Sequence, residues 1–527
     1  MLICVLKRRQ LYLIYNKKEE ATESESNVSF LKKSALAAIL VTFAIVAFSA
    51  TASAAVINVP AGYTTIQEAI NAVDATNRTI EVNATAYAGT TETVVVNRSD
   101  IIIRSVNGRA VVSAGGADDH VVNITDQTNV TLEGFEIRDA TGTTNRVAGI
   151  FMHNASDCNI SDNSVTNISA TGYNAYGICL GDSNNNTFSS STIYNLDSGH
   201  NAYGIALYED DVGAPNDNSF SSGSISEINA PTWWDFYSDE TSHRNTAENI
   251  TISSFPTTIS FTYDNGVGIK SVETPPADPA GKVNIGKYVN ATSVTANSWL
   301  FLNVSYENED VPPGMQESTL RMWRYNGTWY EVEGSGVNTT GNYVYANLTE
   351  FSIFAPLGND PAVTVIPTAT GTGNVTIETD KGYFCNETNA LPASPPDAPA
   401  LTFPHGFFNV TICGLNDTST ETVTINFTFP SAIPTNAEFW KHNSSNGTWY
   451  QYPFGSNDGD NVISITITDN GAGDHNPALG IIEDPNGIGW SAAAAEKVPA
   501  LTPTGIIALV GLLSVIAAMS IRIRKKK

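Results

Sequence analysis

The sequence has few of the residues from which catalytic and metal sites are usually built. Of its 527 residues only five are cysteine, five are methionine and seven are histidine. It contains no H-x-x-x-H pair, no C-x-x-C pair, no G-x-S-x-G turn and no glycine loop of the phosphate-binding type. The scattered His and Met residues form no cluster of the ligands that copper prefers. No cofactor is predicted, apart from calcium at the acidic sites discussed below.

Cysteine is too sparse for a fold that disulfide bonds hold together. Cys158 and Cys179 occupy different positions of the repeat described below, so we expect two small buried side chains rather than a bond between them. Cys385 and Cys413 are a candidate disulfide pair. The sequence does not decide between a bond and two free thiols at these two positions.

Basic residues are also scarce. The chain has 27 Lys and Arg against 53 Asp and Glu, for a net charge of −26, and many of the basic residues lie near the two ends. An acidic surface repels the phosphates of DNA and RNA, which excludes nucleic acid as a partner. Such a surface instead attracts cations and stays well solvated.

One stretch, from Ala148 to about Ile228, repeats itself. The string A-G-I-F returns as A-Y-G-I-C and A-Y-G-I-A, and each copy precedes a second string with three apolar positions. The second strings lie 28 and 32 residues apart, and the longer gap absorbs an insertion near residues 211–216. The apolar positions are Ile160, Val165 and Ile168, then Phe188, Ile193 and Leu196, then Phe220, Ile225 and Ile228.

The repeat predicts a parallel β-helix. Its units lack helical periodicity and consist of short runs of branched apolar residues between Gly, Asn and Ser turns, which is typical of two or three brief strands. One unit cannot bury its own apolar side chains, but a stack of units can. Equivalent residues such as Phe188 and Phe220 should therefore lie on neighbouring coils, about 4.8 Å apart.

A short helix is predicted at the start of the stack. Four apolar residues follow helical spacing: Ile66, Ala69, Ile70 and Val73. Thr64 or Thr65 is the expected N-cap. This helix would cover the open end of the β-helix, as the terminal unit of a repeat array must.

Residues 56–272 resemble the NosD-like, carbohydrate-binding and sugar-hydrolase repeat family. The resemblance rests on the opening V-P-x-x-Y-x-T-I-Q-x-A-I-N-A-V, on N-V-T-L-E-G-F-E-I-R and on the repeated Y-G-I strings. It implies a right-handed parallel β-helix of the pectin-lyase type over residues 55–272. The same fold serves lyases, epimerases, adhesins and binding proteins, so the resemblance specifies fold more strongly than chemistry.

Two β-sandwich domains are predicted after a Pro-rich acidic linker at residues 273–281. Residues 282–358 alternate like antiparallel strands and resemble the PGF-pre-PGF module of archaeal surface proteins, through W-R-Y-N-G-T-W-Y-E-V. Residues 362–491 resemble the choice-of-anchor U domain, through F-P-H-G-F-F-N-V-T-I-C-G-L. In the two N-G-T-W-Y strings, Trp329 and Trp449 are expected to pack in the cores, with sugar stacking as the alternative.

Both ends carry targeting patterns. Residues 1–54 are typical of a signal peptide with a long basic leader, cut between Ala54 and Ala55. Residues 505–521 carry no charge and are followed by a basic tail at 522–527, which predicts a transmembrane anchor with its C-terminus in the cytoplasm. Sequons such as those at Asn123, Asn326 and Asn446 are potential glycan sites on an exported chain.

The best candidate site lies at one edge of the predicted coil. Counting from the repeated glycines, Asp182 and Glu209 are equivalent positions on neighbouring coils, with Asp210 beside them. Stacked carboxylates can share a calcium ion, which offsets their repulsion. Three tyrosines near the glycines are candidates for stacking on a sugar ring: Tyr176, Tyr203 and Tyr208. The alternative is that these acidic residues only form turns, which favour Asp and Asn.

A second candidate cation site is an acidic stretch rich in Gly and Asn near the end of the second sandwich. Its carboxylates, which suit a hard cation such as calcium, are Asp458, Asp460, Asp469 and Asp474. Solvated turns are the alternative here too. No Lys or Arg occurs between residues 147 and 243, where a lyase acting at the first edge would need its base.

These features together predict a membrane-anchored, glycosylated cell-surface protein, archaeal in type. We expect its β-helix to serve envelope structure, adhesion or glycan binding, with cell-envelope polymers or glycans and S-layer components as partners. The competing hypothesis is an enzyme: a polysaccharide lyase, an epimerase or a glycoside hydrolase. A groove lined by a Lys or Arg with two or three carboxylates would favour the enzyme.

Overall fold

The computed structural model describes residues 55–491 except 88, 90, 209–212, 254, 386, 392–396 and 444. The predicted signal peptide, the predicted anchor at 505–521 and the candidate residues Glu209 and Asp210 lie outside the described residues. Within the described part, no helix is long and apolar enough to cross a membrane. The structure there is almost entirely β, with one α-helix, α1 (Ile66–Asn71), and 3₁₀ turns at Asn308–Asp310 and Glu317–Thr319.

The strands fall into three groups along the chain. The first group is β1 (Val56–Val59), β2 (Thr79–Asn83), β3 (Val94–Val96), β4 (Ile101–Val106), β5 (Ala110–Ser113), β6 (Val122–Thr125), β7 (Val130–Glu133), β8 (Phe135–Arg138), β9 (Thr141–Gly142), β10 (Val147–His153), β11 (Asn159–Ser161), β12 (Ser164–Ala170), β13 (Ala175–Gly181), β14 (Thr187–Ser189), β15 (Thr192–Ser198), β16 (Asn201–Tyr208), β17 (Ser219–Ser221), β18 (Ser224–Asn229), β19 (Thr232–Ser238), β20 (Thr246–Ile252), β21 (Thr257–Asp264) and β22 (Val267–Lys270). The second group is β23 (Lys282–Asn284), β24 (Val289–Ser293), β25 (Trp299–Ser305), β26 (Arg321–Tyr325), β27 (Trp329–Glu331), β28 (Gly336–Asn338), β29 (Tyr343–Leu348) and β30 (Ile353–Asn359). The third group is β31 (Val363–Pro367), β32 (Asn374–Thr379), β33 (Tyr383–Phe384), β34 (Asn389–Leu391), β35 (Phe407–Cys413), β36 (Thr422–Thr428), β37 (Glu438–Asn443), β38 (Thr448–Tyr452), β39 (Val462–Thr468) and β40 (Ile482–Gly489).

The first group forms a parallel β-helix with three strands in each complete coil, except that its last two strands, β21 and β22, run antiparallel to their neighbours. One column of stacked strands runs through β4, β7, β11, β14 and β17. A second runs through β5, β8, β12, β15 and β18. The third, which we call the third column, runs through β3, β6, β10, β13, β16 and β19. The predicted parallel β-helix is therefore confirmed as far as β20.

The register between coils is also as predicted. Ile160 pairs with Phe188, and Phe188 pairs in turn with Phe220. The two phenylalanine rings stack in the core with centroids 4.7 Å apart. Strand geometry places equivalent residues of parallel coils in contact, so a stacked apolar column excludes water along the whole axis.

The repeated glycines make room for this core. The glycine of the Y-G-I string recurs as Gly149, Gly177 and Gly204. A Cβ at Gly177 would overlap the Cγ2 of Ile193, which packs across the coil, and would lie 2.6 Å from the carbonyl oxygen of Gly204. A side chain at this position would displace both the opposite strand and the next coil. Packing, rather than a turn, therefore explains why glycine recurs at this position.

The helix α1 covers the start of the stack. Thr65 is its N-cap, and its side chain accepts a hydrogen bond from the Glu68 backbone while Glu68 closes the capping box. Ile66 and Ile70 are fully buried against the first coils. The predicted helix, its cap and its apolar face are thus confirmed, and the cap satisfies backbone groups that would otherwise lack partners.

The corners of the coils are built from residues with left-handed backbone. Asp126, Asn154 and Asp182 follow one another at one corner with φ values of 58°, 48° and 40°. Asn154 also donates a hydrogen bond of 2.7 Å from Nδ2 to Asp126 Oδ1. Asp and Asn tolerate this backbone region better than other residues with a side chain. Much of the acidic character of the coil edges therefore follows from backbone geometry.

A buried asparagine ladder stabilises another corner. Asn186, Asn218 and Asn245 are stacked on successive coils, with the Asn186 amide nitrogen 3.0 Å from Asn218 Oδ1 and Asn218 Nδ2 3.0 Å from Asn245 Oδ1. Cys158 occupies the equivalent place one coil earlier, where its backbone N–H donates to Asn186 Oδ1. The side chains of Cys158 and Cys179 are both buried. Each ladder amide satisfies backbone groups of the preceding coil, which would be costly to leave unpaired in the core.

The second group of strands continues the β-helix instead of forming a separate core. The strand β21 runs antiparallel to β20 and to β25, and β22 runs antiparallel to β19 and to β24. One hydrophobic cluster extends from Ile57 to Phe354 and includes Leu300 and Leu302. The acidic segment 273–281, interpreted from sequence as a linker, therefore interrupts neither the sheets nor the core.

The third group forms two antiparallel sheets that share one hydrophobic core. One sheet contains β31, β32, β36 and β39, and the other contains β33, β34, β35, β37, β38 and β40. Their buried side chains include Val375, Phe427, Val410 and Phe439. The structure joins Cys385 and Cys413 in a disulfide bond, with Cα atoms 5.9 Å apart.

Candidate functional site

A second apolar layer lies on the outside of the third column. Ala148, Tyr176, Tyr203 and Trp234 are paired in register on four successive strands, immediately before the position of the repeated glycine. Three residues further along, Phe151, Cys179, Ala206 and Tyr237 form a second row. These side chains cluster separately from the main core. Aromatic side chains on an outer sheet face form planar apolar surface, which is unusual for a solvated coil.

The middle of this layer is closed. The Tyr176 and Tyr203 rings stack with centroids 5.2 Å apart, and Tyr208 meets both edge-on at 5.7 and 5.8 Å. Only 2% of Tyr176 and 8% of Tyr203 remain exposed. Tyr208 folds over the row because its neighbour on the preceding coil is Gly181. The geometry contradicts the expectation that Tyr176 and Tyr203 stack on sugar, since their faces are already occupied.

The hydroxyls of Tyr176 and Tyr208 stay protonated at neutral pH. Burial raises the pKa of Tyr176 to about 12, and the pKa of Tyr208 is raised by burial as well. Asn174 Nδ2 donates to the Tyr176 hydroxyl at 2.8 Å, and the His200 ring lies 2.8 Å from Asn174 Oδ1. The rim beside the closed tyrosines is therefore made of hydrogen-bonding groups.

The layer opens at its far end at Trp234 and Tyr237, beside Trp233, which packs partly against the main core. We call the surface formed by Trp233, Trp234, Tyr237 and Lys270 the aromatic patch. The three aromatic residues are only partly buried. Lys270 Nζ lies 4.9 Å from the centre of the Trp233 ring and 5.1 Å from that of Trp234. The patch thus combines open aromatic surface with a positive hydrogen-bond donor, held by a cation–π contact.

The sequence analysis did not predict this patch. Its aromatic residues could have been found, because extending the register by one coil aligns Trp234 with Tyr203 and Tyr237 with Ala206. No such alignment predicts Lys270, because this residue lies on β22, which runs antiparallel to β19 and is outside the repeat. The absence of Lys and Arg between residues 147 and 243 therefore does not leave this face without a cation.

A smaller aromatic group lies at the opposite end of the layer, around Phe151. The His120 ring stacks on Phe151 at 4.3 Å, and the Arg146 guanidinium lies 5.6 Å from the centre of the same ring. Burial, followed by the Arg146 charge, lowers the pKa of His120 to about 4. His120 is therefore neutral at pH 7, and its Nδ1 accepts a hydrogen bond from the Ala148 backbone.

The buried carboxyl group of Asp235 lies beneath the aromatic patch. Asp235 follows Trp234 and takes the place of the repeated glycine. Its Oδ2 accepts a 2.7 Å hydrogen bond from the Ser271 backbone. Burial raises the pKa of Asp235 to about 7. Only 1% of Asp235 is exposed, so it cannot reach a ligand on the patch without a rearrangement.

Of the three carboxylates in the predicted acidic edge, the structure describes only Asp182. Asp182 lies at a corner with left-handed backbone, where an Asp is favoured for conformational reasons. Its Oδ1 lies 2.7 Å from the place where a Cβ at Gly213 would lie, so the chain after the insertion returns close to it. Because Glu209 and Asp210 lie outside the described residues, shared calcium binding by the three carboxylates stays a prediction.

The second set of carboxylates is distributed over separate turns. Asp474 accepts hydrogen bonds from the backbone of Asn470, Asn476 and Glu483, and Asp469 accepts one from Gly480. Asp458 and Asp460 likewise accept backbone hydrogen bonds from residues two positions ahead. Among the residues that the structure describes, no group of three or more His, Cys, Asp or Glu is arranged to hold a metal ion.

The two tryptophans of the N-G-T-W-Y strings are engaged in packing. Trp329 is 7% exposed, donates from Nε1 to the Ala277 carbonyl at 2.7 Å and packs against Tyr325. Trp449 is half-buried among Phe407 and His442, with ring centroids 5.1 and 5.0 Å away. These contacts favour the core interpretation of both residues.

A cleft of about 430 Å³ lies in the second group of strands. Arg324, Tyr330 and three glutamates are among its lining residues, and Arg324 forms an ion pair with Glu350. Tyr330 is 52% exposed. The cleft has one open aromatic ring, whereas the aromatic patch has three partly open rings, so the patch is the better candidate for a ligand with flat apolar faces.

Comparisons with known proteins give distant likenesses only. No family model and no curated protein matches the chain. Among solved structures, a Geobacillus virus E2 protein, ORF18, is 11% identical with a TM-score of 0.15, over 60% of this chain and 80% of its own. The Dettilon tailspike protein is 10% identical with a TM-score of 0.15, over 58% of this chain and 94% of its own.

A third structure is the phiAB6 tailspike in complex with oligosaccharides of the Acinetobacter baumannii surface polysaccharide. It is 9% identical with a TM-score of 0.11, over 78% of this chain and 74% of its own. Identities and scores of this size show no family membership. The assignment to the β-helix class rests on the strand register of the chain itself.

Proposed function

We propose that this protein binds glycans, with the aromatic patch as the contact surface. The observation that carries the proposal is the partial exposure of Trp233, Trp234 and Tyr237 beside the Lys270 ammonium. Aromatic rings offer flat apolar surface to the C–H faces of a sugar, while a lysine and neutral polar side chains can bond to its oxygens. Glycans are amphipathic in this way, and nucleic acid is disfavoured by the acidic charge.

The underlying tyrosines give the patch a rigid base. Tyr203 contacts Tyr237 at 5.4 Å between ring centroids, and Tyr208 contacts Tyr237 at 5.6 Å. Side chains that are fixed before binding lose little conformational entropy when a ligand arrives. Stacked coils also repeat at about 4.8 Å, an interval close to the length of one sugar unit. An extended polymer could therefore follow the coil axis.

We place this binding surface on the outside of a cell. The targeting patterns at residues 1–54 and 505–521 support export and anchoring in a membrane. Envelope polymers or S-layer components would then be the natural glycan-bearing partners. The acidic composition and the sequons agree with a glycosylated extracellular chain.

An enzyme of the lyase, epimerase or hydrolase type is the second candidate. Lys270 beside Trp234, with Asp235 below, gives it one observation in favour. General acid–base catalysis requires its groups within hydrogen-bond reach of the substrate. Asp235 is sealed in the core, so among the described residues of the patch no carboxyl group meets that condition. Binding without turnover is the function that this geometry supports best.

The test is a glycan-array screen of the whole exported chain, followed by affinity measurement on any ligand found. Trp234→Ala and Tyr237→Ala should each weaken binding about tenfold or more, since a lost aromatic contact of about 1.4 kcal/mol corresponds to tenfold. Tyr194→Ala is the matched control, because Tyr194 is a 37% exposed tyrosine on β15, in another column. Binding that is equally insensitive to all three changes would move the site elsewhere. Breakdown of the ligand would favour the enzyme.

A further inference from the structure

The two-sheet unit of the third strand group contains a lysine and an aspartate buried side by side. Lys441 lies on β37 and Asp484 on the antiparallel strand β40, where the residue opposite Lys441 is Asn486. Lys441 and Asp484 are both 0% exposed. Lys441 Nζ lies 3.0 Å from Asp484 Oδ1. The pair therefore links neighbouring strands diagonally across the interior face of a sheet.

The contact is close without being a good hydrogen bond. Lys441 Nζ donates to the Gly473 carbonyl at 3.1 Å and lies 3.9 Å from the centre of the Tyr452 ring. Asp484 Oδ2 accepts from Asn486 Nδ2 at 3.2 Å. Asp484 Oδ1 accepts no hydrogen bond of standard geometry from any described residue, although Nζ is near. The amine and the carboxyl group are thus held in contact by the surrounding core.

A gain in folding stability does not by itself explain why Lys441 and Asp484 are buried together. Removing two charges from water costs several kcal/mol per ion, and a buried ion pair is often no better than apolar residues of the same size. Burial also lowers the pKa of Lys441 and raises the pKa of Asp484, and each shift is opposed by the partner. Both shifts favour a neutral amine facing a neutral carboxylic acid. These are the protonation states in which an amine can attack a carboxyl carbon.

We propose that Lys441 and Asp484 condense to form an intramolecular amide bond that joins β37 to β40. The Nζ–Cγ bond forms and one Cγ–O bond breaks. The neutral amine carries two protons, of which one stays on the amide nitrogen and one leaves with the hydroxyl group of the carboxylic acid as water. The reaction is balanced in atoms and charge, and it needs no oxidant, metal or second protein.

Two further titratable groups lie near the pair. Asp474 and His475 are close enough to affect the charge of the pair electrostatically. His475 Nε2 lies 3.3 Å from the Tyr450 hydroxyl. Water is excluded from the pair, which favours amide formation over hydrolysis once the bond exists. The product would be a permanent cross-link in addition to the Cys385–Cys413 disulfide.

The test is mass spectrometry of the purified full chain, unfolded and with its disulfide reduced. We expect a protease digest to contain a branched peptide that joins Lys441 to Asp484 and is lighter by one water than its two linear arms together. Amine labelling under denaturing conditions should then leave Lys441 unmodified. Recovery of the two linear peptides without the deficit, together with labelling of Lys441, would overturn the proposal.

Variants separate the cross-link from an accidental modification. Lys441→Arg keeps the positive charge but should abolish the branched peptide. Asp484→Asn, made in the chain that retains Lys441, should still give the branched peptide. Loss of ammonia from asparagine gives the same amide and therefore a branched peptide of the same mass as the wild type. Lys381→Arg changes an exposed lysine of the same unit and should leave the branched peptide unchanged. If the variants fail to fold, the presence or absence of the branched peptide in the wild type still decides.

Discussion

The recurring glycine illustrates how one residue can be fixed by packing alone. Gly177 has ordinary backbone, but a Cβ there would overlap Ile193 and crowd the Gly204 carbonyl of the next coil. The first contact involves a core side chain and the second involves backbone, so neither neighbour can move aside without a cost in folding free energy. Glycine is thus required at this position by both neighbours.

Gly177→Ala should therefore destabilise the β-helix by about 1–3 kcal/mol, the usual cost of overpacking a core. Urea denaturation of the wild type and the variant would measure the difference in free energy of unfolding. Gly116→Ala is the control, since a Cβ there meets only the Asp119 side chain. A loss of stability at Gly116 as large as that at Gly177 would contradict the packing argument.

Asp235 should make stability depend on pH. Its pKa is raised by burial from 3.8 to about 7. Between these values the unfolded chain loses the proton while the folded protein keeps it. The contribution of Asp235 to folding stability should therefore be greatest below pH 3.8. It should fall by about 4 kcal/mol as the pH approaches 7.

The Asp235→Asn variant should remove that dependence. An amide oxygen can still accept the Ser271 hydrogen bond but does not titrate. Melting temperatures measured from pH 4 to pH 7 should fall more steeply for the wild type than for the variant. The exposed Asp197→Asn change serves as the control, and parallel curves for wild type and Asp235→Asn would show that Asp235 is not the titrating group.

At the level of elements, the column of stacked apolar side chains stabilises the β-helix. Phe188 is 3% exposed and stacks on Phe220, whereas Thr187 beside it points outward and is exposed. Phe188→Asp places an unpaired charge in this column, which should cost about 3–5 kcal/mol. Thr187→Asp should change stability by less than about 0.5 kcal/mol. Thermal melts of both variants would measure this, and equal losses would show that the register is wrong.

The repeat was predictable from sequence because stacking copies one side chain onto its equivalent. The pairing of Ile160, Phe188 and Phe220 corresponds to a regular spacing of apolar residues along the chain. The helix α1 was predictable too, because the cap at Thr65 and the apolar residues are local features. Both signals lie within short stretches of chain.

Other parts of the site left no such signal. Burial of Tyr176 and Tyr203 depends on Tyr208 folding back over them, which spacing does not reveal. Lys270 reaches the aromatic patch through antiparallel pairing of β22 with β19, between segments that share no repeat. Sequence spacing therefore did not show which aromatic residues of this face remain open.

At the level of the whole molecule, the β-helix does not end where its repeat ends. Antiparallel strands β21, β22, β24 and β25 extend both walls of the coil, and the core continues to Phe354. Such strands close an edge that would otherwise offer unpaired N–H and C=O groups to other chains. Residues 282–359 are thus the terminal cap of the stack, as α1 is at the other end.

A fragment of residues 55–272 should accordingly fail as an independent unit. Removing β24 and β25 uncovers the edges of β21 and β22 and the apolar side chains that pack on Leu300 and Leu302. We expect this fragment to aggregate or to bind a hydrophobic dye, whereas residues 55–359 should be monomeric and melt in one cooperative transition. Size-exclusion chromatography and calorimetry of the two fragments would measure this. If residues 55–272 were monomeric with the same melting temperature as residues 55–359, the β-helix would be stable without its cap.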